Sequence, residues 1–87
     1  MVYPNPVTGP GPLNILLPLA TTSDVEIGIF TTSFRKIAET RFPNVAPGQI
    51  LGLPLLDHGG SPLANGLYYL FIRVQGHIWK VKLLVLR

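Results

Sequence analysis

The residue types of a serine hydrolase meet in one stretch of this chain, DHGGSP, which holds Asp57, His58 and Ser61. A nucleophilic serine needs a histidine base oriented by a carboxylate, with backbone donors placed for the oxyanion. Three such residues crowded into one glycine-rich turn are poorly placed to make that relay. Gly59 and Gly60 instead offer positive φ, and Asp57 can cap its own backbone, which is turn chemistry. His58 and His77 could reach a metal, but with Asp57 as the nearby carboxylate they are too few for a site. The paired glycines neither follow a strand nor open a helix, as a phosphate cradle requires. No catalytic, cofactor-binding or metal-binding residue is assigned, and the chain is not expected to be an enzyme.

Recognition chemistry is better represented. Tyr69, Phe71 and Trp79 fall in the two strongest apolar runs, and an outward strip of such rings on a β-sandwich would stack sugars as carbohydrate-binding modules do. The alternative is that these rings fill the core or contact a neighbouring domain. For Trp79 a core position is expected, where alanine would cost about 3–5 kcal/mol.

These side chains need a scaffold, and composition bounds it. Eighty-seven residues make one small domain, and a chain of that size buries roughly 60–65% of its extended surface. Without cysteine, disulfides and thiolate metal sites contribute nothing. Hydrophobic residues make up 47% and charged residues 13%, about half the usual charged share. Such a chain folds, yet has little charge to solvate its surface, so a parent polypeptide, a partner or self-association is expected. The net charge is +3, and Arg73, Lys80, Lys82 and Arg87 follow Asp57 with no acid between them. Four bases diluted among aliphatics read as solvated strand faces, and nucleic acid is not expected. No segment approaches the roughly 18–20 apolar residues of a membrane span, and the opening residues, without a basic stretch before an apolar run, are not expected to be a signal peptide.

Nine prolines and nine glycines leave few windows for helix. The apolar rhythm is two. Leu13, Ile15 and Leu17 alternate before Pro18, predicting an edge strand. Val25, Ile27 and Ile29 alternate with Asp24, Glu26 and Gly28, a half-buried strand, and residues 36–42 read as its return with Ile37 and Ala38 turned inward. Residues 43–48, PNVAPG, read as a loop, and residues 50–56 as a short irregular strand. In residues 67–74, Tyr68, Leu70, Ile72 and Val74 share one face. Gln75-Gly76 is a two-residue hairpin turn into residues 77–86. Six or seven short strands at this spacing predict an all-β, small immunoglobulin-like antiparallel sandwich. Its core should hold Val25, Ile27, Ile29, Tyr68, Leu70 and Ile72, with the closing hairpin central. Residues 1–11 are read as a linker or lead-in and residues 12–87 as the domain.

The order of local motifs adds a resemblance. Tyr3-Pro4-Asn5-Pro6, a strand ending Leu17-Pro18, the strand VEIGIF and a turn before Arg35-Lys36-Ile37 come first. Asp57, Gly60, Leu63-Ala64, Gly66-Leu67-Tyr68, Gly76 and the closing KLLVLR follow. This succession resembles the C-terminal sorting domain of type IX secretion substrates and the Ig-like domain of the flagellar hook-capping protein. Phe34 stands where that family has a turn glycine, and Leu53-Pro54-Leu55 where it has Trp-Asp-Gly. The resemblance implies a non-catalytic module of a secreted or cell-surface bacterial protein, its last strand read by export or attachment machinery. A carbohydrate-binding module and a structural Ig-like spacer are the alternatives. A dimer or higher oligomer, joined through sheet edges or an apolar face bearing Leu16, Phe30, Phe34 and Phe71, is also expected.

Overall fold

A computed structural model describes residues 1–9 and 11–86. Arg87, counted above among the terminal bases, lies outside the described residues. The described residues form seven strands and no helix. They are β1 (Val2–Tyr3), β2 (Leu13–Leu16), β3 (Ser23–Thr31), β4 (Lys36–Val45), β5 (Ile50–Leu53), β6 (Gly66–Val74) and β7 (His77–Val85). A three-stranded sheet runs β1-β2-β5 and a four-stranded sheet β4-β3-β6-β7, every pairing antiparallel. This is the small Ig-like β-sandwich that the alternation predicts.

One apolar cluster joins the sheets. Leu13 and Ile15 of β2 and Leu51 and Leu53 of β5 face Val25, Ile27 and Ile29 of β3 and Tyr68, Leu70 and Ile72 of β6, all of them buried. Leu17, Leu55 and Leu63 close the ends from the connecting segments. Tyr68 solves the problem of its polar tip by donating its hydroxyl to the Ala64 carbonyl oxygen at 2.7 Å, so its ring can be buried without an orphaned donor.

Turn chemistry follows the residues. Gln75 and Gly76 have φ of 49° and 81°, the paired left-handed geometry whose twist matches a tight hairpin. Asp57 Oδ1 accepts the N–H groups of Gly59 and Ser61 at 2.9 and 3.0 Å. Ile37 and Ala38 are adjacent yet both packed on the core side, because the register slips between Ile29 and Phe30; a bulge inserts one residue and breaks strict alternation.

Four expectations need correction. The first alternating strand is not an edge: β2 lies between β1 and β5, since Pro18 falls beyond its last paired residue and costs no ladder bond. Residues 43–45 are strand rather than loop, ending β4 opposite Ser23. Pro43 is tolerated there because β4 is an edge, and the Asn44 N–H donates to Asp24 Oδ1 at 2.9 Å. β7 is an edge strand too, so only β6 of the closing hairpin is central.

The fourth correction is the linker. Residues 1–9 belong to the sandwich: β1 pairs with β2, and Val7 is buried and bridges Val85 in parallel. The Val7 N–H donates to the Leu84 carbonyl oxygen at 2.8 Å, and Leu86 N–H donates to the Val7 carbonyl oxygen at 2.7 Å. Just before it, Asn5 Nδ2 donates to the Lys82 carbonyl oxygen at 2.8 Å while Asn5 Oδ1 accepts the Leu84 N–H at 3.3 Å. A side-chain amide thus substitutes for a strand residue, and the lower half of the β7 edge is covered.

Candidate functional site on the outer sheet face

The outer face of the four-stranded sheet is set by alternation. β3 presents Glu26, Gly28 and Phe30; β6 presents Leu67, Tyr69, Phe71 and Arg73; β7 presents Ile78, Lys80 and Lys82. β4 adds Glu39 and Arg41, with Lys36 beyond the bulge. Register places Gly28 between Glu39 and Phe71, and Phe30 opposite Tyr69. Gly28 makes room for the Phe30 ring: a Cβ at its position would lie 2.8 Å from Cε1 of Phe30 and would push the ring aside. The Phe30 ring leans across the bare backbone and meets Phe71 edge to face, centroids 4.9 Å apart at 81°.

Phe34 extends this group from the turn between β3 and β4. Its N–H donates to the Thr31 carbonyl oxygen at 2.9 Å, and its φ is 63°, a left-handed conformation unfavourable for a bulky side chain. The turn therefore has a geometry in which glycine would be relaxed. Its ring stacks on Tyr69 at 5.4 Å and 4° while remaining 59% exposed. Lys80 Nζ lies 5.3 Å from the Tyr69 centroid, within cation–π range. Beside these rings lies a groove of about 270 Å³, open to solvent, lined by Phe30, Phe34, Phe71 and Ile78 together with Glu26, Glu39, Lys36 and Arg73.

Charge is arranged unevenly. Arg41 pairs with Glu26 at 3.0 Å and Lys36 with Glu39 at 2.6 Å. The Lys36 hydrogen bond and charge, helped by Arg41 and Arg73, hold the Glu39 carboxyl below its ordinary value. Glu39 therefore stays ionised to lower pH than a free glutamate. Its small stabilising contribution is present above the ordinary carboxylate pKa and fades as pH falls through the lowered one. Both carboxylates are thus occupied. Arg73, Lys80 and Lys82 remain outside any ion pair among the described residues.

Of the three aromatic candidates, the structure brings together only Tyr69 and Phe71. Trp79 lies opposite Ile72, on the inner side of β7, so the three rings do not form one outward strip. Nor is Trp79 core. It is 37% exposed, because the short strands of the smaller sheet leave the far end of β7 uncovered. It lies beside Met1, Val2, Leu17 and Pro18 along a shallow groove, and stacks with His77 at 6.2 Å. Trp79→Ala is accordingly expected to cost about 1–2 kcal/mol, less than a fully buried Trp would, and to leave a folded protein. Urea unfolding measures this, and a loss of the folded state would contradict the placement.

Alternation set Phe30, Phe34 and Phe71 outward together with Leu16, which lies on the other sheet; it did not join Arg73 and Lys80 to the three rings. The available signal was the phase of β3 and β6 together with a glycine between two outward positions. Asp57, His58 and Ser61 stay a turn, the aspartate oxygen occupied by backbone donors. Among the described residues no three His, Cys, Asp or Glu gather as metal ligands, and no helix is long and apolar enough to cross a membrane.

Comparison with known proteins adds a fold match. No family model matches the chain, and no curated protein matches it. Among solved structures, dimeric latent PorU from Porphyromonas gingivalis superposes with a TM-score of 0.68 at 19% identity. The two share a fold. The match takes in 99% of this chain and 9% of that one, so the chain spans about a tenth of the length of the protein it resembles.

Proposed function

We propose that this domain is a non-catalytic module of a larger exported or surface-attached bacterial protein, serving its sorting, attachment or assembly. The observation that carries the reading is the whole-chain fold match to a small portion of PorU, a fold used as one unit within a much longer polypeptide. The motif order from Tyr3-Pro4-Asn5-Pro6 to the closing hairpin supports the same reading through its resemblance to type IX sorting domains. The sandwich gives those motifs physical roles: Asn5 grips the last strand, Asp57 builds the turn, and Tyr68 fixes the corner. The module's partners are then its parent domain and the export or attachment machinery, and its place is extracytoplasmic.

The test appends the 87 residues to the C-terminus of a reporter carrying a signal peptide, in a bacterium with a type IX system. The reporter is expected at the cell surface or in the medium. Retention in the periplasm at the level of a reporter without the module would refute the sorting role.

A further inference from the structure

The charge of this protein is concentrated on one surface. The outer face of the four-stranded sheet carries Lys36, Arg41, Arg73, Lys80 and Lys82 against Glu26 and Glu39. That excess of three positive charges equals the net charge of the whole chain, so all other charged residues balance. The same face holds the Phe30, Phe34 and Phe71 groove and an aromatic residue kept in a left-handed conformation where glycine would be relaxed. Strained residues persist where surrounding structure holds them, and they gather at sites of recognition. Here the stack on Tyr69 holds Phe34.

We propose that this face docks an acidic polypeptide segment, which inserts one aromatic or large aliphatic side chain between Phe30, Phe34 and Phe71 while its carboxylates meet Arg73, Lys80 and Lys82. The groove is the size of a large side chain, and its lining sets four apolar side chains beside two carboxylates and two cations. Its two carboxylates are engaged by Lys36 and Arg41, and its lining holds no neutral polar side chain to read the hydroxyls of a sugar. A second copy of the chain docked face to face would bring two positive surfaces together, which disfavours it. An acidic partner complements the face. The proposal deepens the accessory-module reading and rests on it for the expectation that a partner exists, but it names a surface that the delivery assay does not probe.

The experiment titrates the isotopically labelled 87-residue chain with a short peptide bearing one Trp flanked by Asp and Glu, followed by amide chemical shifts. A matched peptide with Asn and Gln in place of the acids serves as comparison. The acidic peptide is expected to bind at least about tenfold more tightly, to shift Gly28, Phe30, Phe34, Phe71 and Arg73, and to weaken as salt rises. The double change Arg73→Glu with Lys80→Glu should abolish this preference. Phe34→Gly separates binding from folding: it relieves the left-handed strain and should keep or raise thermal stability, while weakening the acidic peptide about tenfold. Equal affinity for both peptides, shifts clustered elsewhere, or tighter binding of oligothymidine or polygalacturonate than of the acidic peptide would overturn the proposal. So would self-association through this face without peptide binding. Each of these outcomes can occur whether or not the module delivers its reporter.

Discussion

Leu70→Ala is expected to bring the domain to the edge of unfolding. Leu70 is wholly buried on β6, paired with Ile29 on one side and Val81 on the other, at the middle of the larger sheet. Its removal leaves a cavity between two sheets whose neighbours are β-branched and held by ladder bonds, so collapse around the gap is limited. Truncations of this kind cost about 3–4 kcal/mol. A domain of this length has roughly 4–13 kcal/mol in total, and the present one has neither disulfide nor metal to add. Urea denaturation should show a midpoint reduced by about a quarter or more, with an unchanged slope if the denatured state is unaltered. A midpoint close to that of the parent protein would mean that the core is not where the structure places it. Trp79→Ala, a larger deletion in atoms, should be the milder change.

Deleting residues 1–9 is the second large effect. It removes the buried side chain of Val7, worth about 1.5–3 kcal/mol, and the Asn5 and Val7 hydrogen bonds to β7, each worth about 1 kcal/mol net. It also strips β1 from β2, so the small sheet is left with two short strands. With two Asn5 bonds and two Val7 bonds, a total loss of about 5–7 kcal/mol is expected. The part of the β7 edge so freed, from Lys82 to Val85, then becomes a template for pairing with other chains. Circular dichroism should report a largely unfolded or aggregating protein. The single change Asn5→Ala, which leaves Val7 in place, should lower stability by about 1–2 kcal/mol and keep the fold. If the shortened chain unfolds at the parent's midpoint, residues 1–9 are a linker after all.

The contrast between these positions explains what could be read from sequence. The closing hairpin was legible because nine-residue alternation and Gln-Gly are local signals that agree with each other. The core residues Val25, Ile27, Ile29, Tyr68, Leu70 and Ile72 follow from phase alone, and all are buried. Trp79 was not legible, since phase says which side of a strand a residue occupies but not how far the opposite sheet extends. The position of β2 depended on where Pro18 falls relative to its last ladder bond, a matter of one or two residues. Asn5 and Val7 gave no periodic signal because their contacts are one side-chain amide and one bridge within a proline-rich stretch. The aromatic groove needed register, which joins Gly28 to Phe71 across strands and lies beyond any window along the chain.

The clamp formed by Asn5 and Val7 has a kinetic consequence. Asn5 meets Lys82 across 77 intervening sequence steps and Leu84 across 79, so these bonds close a ring that contains almost the entire polypeptide. Closing so long a loop carries an entropic barrier before any contact rewards it, and sandwiches dominated by such remote pairings fold slowly. A chain emerging amino end first, from a ribosome or through a pore, holds Asn5 and Val7 without their partners until the last strand arrives. Completion of the sandwich therefore waits for β7 to emerge, whatever the order in which the other strands pair.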